Sequence, residues 1–264
     1  MVTPTGPSQT VIELRATRVI TILLIVLISA EVFFVLADHF INVERLTDKG
    51  PIRRFFNITR EDGIASWFAV IQTWMIGLTA GLVYAAVKSQ GGAGWRRTGW
   101  LILTIFFLYL AMDDGAEFHE RIGSSVKAII LGDQPKGASR AIGIFPSYTW
   151  QLVFLPIFGA IGLYILWFLN RELDRGRDKL LVVAAIGLLV LAVVADFFEG
   201  LDNDQHPLNL YAWLKSSQGW SSGAILHYSK SAEEFMEMLS MTTFWFLFLR
   251  HLMRVAPRLE IRFG

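Results

Sequence analysis

No cysteine occurs in the 264 residues, which removes disulfides, thiolate metal sites and cysteine nucleophiles from consideration. Charge is scarce as well: charged residues make up 18% of the chain and nearly cancel, leaving a formal net charge of +1. That balance, with no basic stretch interleaved with aromatics, argues against nucleic acid as a partner. The chain also lacks a phosphate-binding loop, a dinucleotide fingerprint and a Ser-His-Asp arrangement. It contains no internal repeat and no low-complexity tract, so a single domain over residues 1–264 is the simplest organisation.

What fills the chain instead is apolar: 53% of residues are hydrophobic and nine are Trp. These residues fall in six long runs, at roughly 18–41, 64–87, 98–117, 148–169, 180–200 and 230–249. Each approaches the roughly 20 residues that a helix needs to cross the hydrocarbon of a bilayer. The pattern predicts an all-α, polytopic membrane bundle of about six transmembrane helices. The first run follows Arg15 and Arg18 and has the flavour of a signal peptide. Its apolar stretch from Val19 to Ala37 exceeds a normal signal core, which favours a retained helix.

Orientation follows from the basic residues. Four short segments, around Arg15 and Arg18, Lys88 to Arg97, Arg171 to Lys179, and Arg250 to Arg262, hold 13 Lys and Arg against five acids. The positive-inside rule therefore predicts a protein of the cytoplasmic (plasma) membrane with both termini inside, N-in/C-in. The opposite segments are longer, carry Tyr211, Trp213 and Trp220, and hold 18 acids against 11 bases. Function is expected on that elaborated face.

Several spans reach full length only if acidic ends enter the membrane. The uncharged stretch of the third, Thr98 to Met112, runs on into Asp113, Asp114, Glu117, His119 and Glu120. The fifth ends in Asp196 and Glu199, and the sixth opens with Glu233, Glu234 and Glu237. The first holds Glu31 well inside and ends at Asp38 and His39, whereas the second and fourth carry no charge. In helical spacing Asp113, Glu117 and Glu120 share one stripe, as do Asp196 and Glu199, and Glu233 and Glu237. A carboxylate facing lipid is costly, so these stripes are expected to face a shared pocket in the outer leaflet, with the uncharged helices as buttresses.

Crowded carboxylates require bound cations, basic partners or shared protons. Local bases are few, chiefly Arg121 and Lys230, which favours a divalent metal ion (Zn, Mn or Fe) or a di-metal centre. The candidate ligands are Asp113, Glu117, Glu120, Asp196, Glu199, Glu237 and His227, with Glu31 and His119 as further members. His119 joins such a site only through a helix end or kink, for which Gly115 and Gly123 are candidates. Competing structural roles are a capping box of Ser231 with Glu234, a helix cap at Thr59 or Asp62, and packing by Met112, Met236, Met238 and Met241. His39 and His206 read as solvated interface residues, residues 202–206 have only a calcium-loop flavour, and His251 reads as a headgroup contact.

Three functions compete. A metal-dependent membrane enzyme would use a metal-bound water, with a spare carboxylate as base, on a membrane-associated substrate. The chain has neither the Glu-x-x-His pairs of ferritin-like di-iron bundles nor a His-x-x-x-His pair of the alkaline ceramidase type, so neither family is matched. A non-catalytic subunit or sensor would bind a lipid, quinone, other small molecule or partner protein, within an oligomer or complex. A proton or cation transporter ranks third, because the cytoplasmic halves of the spans read as free of ionisable residues.

Overall fold

A computed structural model describes residues 16–131, 147–201 and 207–257. Among these residues the chain is helical and contains no strand. Helix α1 (Ala16–Asp38) runs on into one π-helical turn (His39–Val43), and a short α2 (Gly50–Phe55) leads to α3 (Ile64–Ser89). Then follow α4 (Gly94–Ala116), α5 (Phe118–Leu131), α6 (Thr149–Glu172), α7 (Gly176–Glu199), α8 (Leu210–Gln218) and α9 (Ser222–Val255).

Five segments are long and apolar enough to cross a membrane: Thr17–Val43, Ile64–Ser89, Gly94–Ala116, Thr149–Glu172 and Gly176–Glu199. Large apolar side chains on their outer faces, such as Ile25, Val26 and Phe33 on α1 or Leu163 and Trp167 on α6, stand exposed. A soluble bundle would bury them; a bilayer solvates them.

The sixth expected span behaves differently. Helix α9 has 34 residues, ample length, yet it is not apolar enough to qualify. Its packing explains why. It lies against α7, α3 and α1, and buries Met238, Ser240, Met241, Thr242, Phe244, Trp245, Phe248 and His251. A helix wrapped by other helices meets protein rather than lipid, so its sequence is free to be polar.

The core is an aromatic column. Trp100 and Phe107 of α4 meet Phe244 and Phe248 of α9 at ring-centroid distances of 5.1 to 5.6 Å, and Phe168 of α6 closes on Trp100 at 5.7 Å. Edge-to-face contacts of this kind add to the energy of burial. Close approach also needs small residues: a Cβ on Gly99 would stand 2.0 Å from the Phe168 ring, and one on Gly123 would stand 2.6 Å from the Trp150 backbone.

One end of the bundle is basic and the other acidic. At the basic end Glu172 accepts from Arg96 Nε at 2.7 Å and Nη2 at 2.6 Å, from Trp100 Nε1 at 3.2 Å, and pairs with His251 Nε2 at 3.1 Å. His251 is buried and stacks on Trp100 at 5.0 Å, so it is a core residue and not the expected headgroup contact. Asp178, fully buried, pairs with Arg250 at 3.2 Å and with Arg254.

Two expected caps are also replaced. The cap of α9 is Ser221, ten residues before the expected Ser231, and Ser231 lies buried inside the helix. Gly63, without a side-chain cap, precedes α3 in place of Thr59 or Asp62.

Candidate functional site

The acidic end is assembled from α4, α5, α7, α9 and the segment before α3. Asp114 of α4 and Glu61 lie in electrostatic contact, and both interact with Glu234 and Glu237 of α9. Glu233 interacts in turn with Asp196 and Glu199 of α7. Asp196 accepts from Gln151 of α6 at 2.9 Å, and Glu199 lies 3.3 Å from the Tyr148 hydroxyl and 3.9 Å from Lys230. One oxygen each of Glu199 and Glu233 is buried without a hydrogen-bond partner among the described residues.

The helices thus bring Asp196, Glu199 and Glu237 together as the spacing implied. They add Glu61 and Asp114, which the stripe argument missed. Glu61 lies outside every span, and Asp114 lies off the stripe through Asp113. Only the meeting of the α2–α3 connection with α4 and α9 makes them neighbours.

The carboxylates of Glu61 and Asp62 adjoin in sequence but differ in environment. Hydrogen bonds from Arg60 at 2.9 Å and Arg54 at 2.7 Å hold the Asp62 carboxyl down at about 2. Glu61 keeps contact with solvent, yet the surrounding protein displaces enough water to push its carboxyl upward. Lys230 opposes that shift, the charges of Glu120 and Glu117 reinforce it, and His119 opposes it again.

The stripe through Asp113, Glu117 and Glu120 does not survive. Glu117 adopts a left-handed backbone, φ 53°, which ends α4 and lets α5 start at Phe118 in a new direction. The break that His119 needed therefore falls on Glu117 and on neither glycine. It folds His119 back onto Asp113: the His119 amide reaches Oδ1 at 2.9 Å and Nδ1 lies 2.7 Å from Oδ2. Burial works against the His119 imidazolium, but the hydrogen bond and charge of Asp113 outweigh it and hold the ring above its ordinary value. Glu117 instead forms an exposed pair with Arg121 at 3.4 Å, and Glu120 is exposed.

Two further candidates lie elsewhere. His227 reaches Asp38 at 2.8 Å, joined by Ser231 at 3.3 Å and Asn42 at 3.0 Å, in a knot that fastens α1 to α9. Glu31 is fully buried beside Gln72 and Thr242. His39 is partly exposed beside Tyr228, and residues 202–206 lie outside the described residues.

These placements correct the metal-centre expectation. Among the described residues no three His, Asp or Glu side chains converge in a way that could hold a metal ion. A physical reason is that three of the four described histidines are hydrogen-bonded to a carboxylate of their own: His119 to Asp113, His227 to Asp38, and His251 to Glu172. The carboxylates that remain have no imidazole to complete a Zn, Mn or Fe set.

A family match extends over residues 19–252 and so covers the whole helical bundle. The chain belongs to the family described as Domain of unknown function (DUF8692). No curated protein and no solved structure matches the chain. That membership carries no activity, which is left to be read from this site.

The uncharged helix α3 carries more of that site than a buttress would. Its buried face presents Gln72, Thr73 and Thr79. Thr79 accepts from Trp245 Nε1 at 3.0 Å, and Gln72 donates to Glu31 and Thr242. Polar side chains are therefore buried in the apolar middle of the bundle as well as at its acidic end, and His251 and Glu172 are buried towards the basic end. These two lie just beyond the ends of the expected spans 148–169 and 230–249, yet both are buried in the bundle.

Proposed function

We propose that this DUF8692 member is a cation-handling membrane protein that draws protons or alkali cations into the bundle from its acidic end. In this reading α9 is the sixth crossing, the acidic end faces outward, and both termini lie in the cytoplasm. The distribution of basic residues supports that orientation. The chain would reside in the cytoplasmic membrane.

The observation that carries the reading is the charge imbalance at the acidic end. Glu61, Asp114, Asp196, Glu199, Glu233, Glu234 and Glu237 interact with one another, while Lys230 and His119 are their cationic neighbours. Carboxylates gathered at a membrane-embedded site mark ion and proton paths. Buried polar groups on α3 and α9 add support, since they place Gln72, Thr79 and Thr242 deeper in the bundle than the acidic cluster. A metal-dependent enzyme finds less support, because the histidines are occupied.

The test uses the purified full chain in liposomes that enclose a pH-sensitive dye or take up radioactive sodium. An imposed cation gradient should dissipate faster than in protein-free liposomes, and Glu234→Gln with Glu237→Gln should slow it several-fold. Equal rates with and without protein, for both protons and sodium, would rule the function out.

A further inference from the structure

The middle of the bundle contains a carboxylate that the acidic end does not explain. Glu31 of α1 is 0% exposed and Gln72 of α3 is 2% exposed. Thr242 of α9 donates to Glu31 Oε1 at 2.6 Å, and Gln72 Nε2 lies 3.1 Å from the same Oε1 and 2.5 Å from the Thr242 hydroxyl oxygen. Every one of these bonds converges on one side of the trio. The other oxygens, Glu31 Oε2 and Gln72 Oε1, are buried and have no hydrogen-bond partner among the described residues.

Two bare acceptors in one hydrogen-bonded trio are an expensive arrangement. A buried polar group left without a partner forfeits its solvation, and a charged one forfeits more. The aligned donors are already spent: the Gln72 amide and the Thr242 hydroxyl point at the satisfied side, and Trp245 Nε1 serves Thr79. Among the described residues no Lys, Arg or His bonds to Glu31. What both oxygens lack is an electrophile.

From this geometry we infer that Glu31, Gln72 and Thr242 form an internal binding site for one small alkali cation, sodium in the first instance. The donor set is all oxygen, which suits a hard cation and offers nothing to a transition metal. One carboxylate balances one positive charge, whereas a divalent ion would leave an uncompensated charge inside the bundle. A proton on Oε2 would satisfy the carboxylate alone, whereas a cation beside the trio would be drawn by a carboxylate and an amide oxygen that both lack partners among the described residues. The Thr242 oxygen, already donor to Glu31 and acceptor from Gln72, holds the two side chains in register. The site draws on three helices far apart in sequence, so it exists only in the folded bundle and binding must stabilise the fold.

The inference deepens the cation reading and rests on it for the purpose of the ion, so its test is one of binding rather than flux. Thermal unfolding of the detergent-purified full chain is followed by Trp fluorescence while NaCl replaces choline chloride at constant ionic strength. Sodium should raise the Tm saturably, and Glu31→Gln, which preserves the shape and the bonds to Gln72 and Thr242, should weaken that response at least tenfold. Thr242→Val should weaken it less. Equilibrium binding of radioactive sodium to the wild type should reach one ion per chain, a measurement that stands even if the variants fail to fold. A Tm that is the same in sodium, lithium, potassium and choline, or that follows pH alone, overturns the site and points to a proton on Glu31. Flux through liposomes without sodium binding would overturn only the site. Sodium binding without flux would overturn only the transport reading.

Discussion

Removing the Glu172 side chain should unfold the basic end of the bundle more than any exposed substitution there. Glu172 receives Arg96 through two guanidinium nitrogens, the Trp100 indole and the His251 ring. Its side chain is 1% exposed, and those of Arg96 and His251 are 31% and 7% exposed. Breaking a buried pair by deleting one partner costs about 3–5 kcal/mol, because the other charge is left uncompensated. Arg96 can turn to water, so Glu172→Ala is expected near the lower bound, about 3 kcal/mol. At about 2–4 °C per kcal/mol for a chain of this size, the Tm should fall by about 6–12 °C. Glu172→Gln should lose less, since the amide oxygen still accepts from Trp100. The assay is thermal unfolding in mild detergent, read through the Trp residues, with a double-mutant cycle to Arg96→Met. A loss below about 1 kcal/mol, the scale of an exposed ion pair, would refute the view that this network is buried and cooperative.

Two other outcomes follow from particular contacts. Gly99→Ala should destabilise the fold by about 1–3 kcal/mol through overpacking, because its Cβ would meet Phe168 at 2.0 Å, and Phe168→Leu should partly restore it; Gly187→Ala, which meets nothing within 4 Å, serves as the control in thermal unfolding. The Asp113–His119 pair should make stability depend on pH with a definite sign: His119 titrates above its ordinary value of about 6.5, so its contribution is complete below that pH and is lost as pH rises through the folded value. Asp113→Asn should flatten that part of the stability–pH curve, and an unchanged curve would contradict the pairing.

Much of the architecture was legible in the residues alone. Hydrophobic runs long enough to cross a bilayer produce helices whatever their neighbours, because in hydrocarbon the backbone must satisfy its own hydrogen bonds. That argument located α1, α3, α4, α6 and α7. That Asp196 and Glu199 share a face of α7, and Glu233 and Glu237 a face of α9, was also legible, since helical spacing fixes what lies along one helix.

Tertiary packing decided the rest. Helix α9 sits among other helices, so its polarity reflects protein neighbours, and the run read at 230–249 is the core of a 34-residue helix rather than one of the five apolar spans. Glu117 turns left-handed and ends α4, which destroys a stripe that ideal spacing had drawn. The histidines could have completed a metal site or fastened helices together, and only the folded positions of Asp113, Asp38 and Glu172 select the second role. Glu31 looked like an outlying member of the acidic group. Its neighbours Gln72 and Thr242, 41 and 211 residues away, make it a site of its own, because sequence fixes what lies along a helix and only packing fixes what lies across from it.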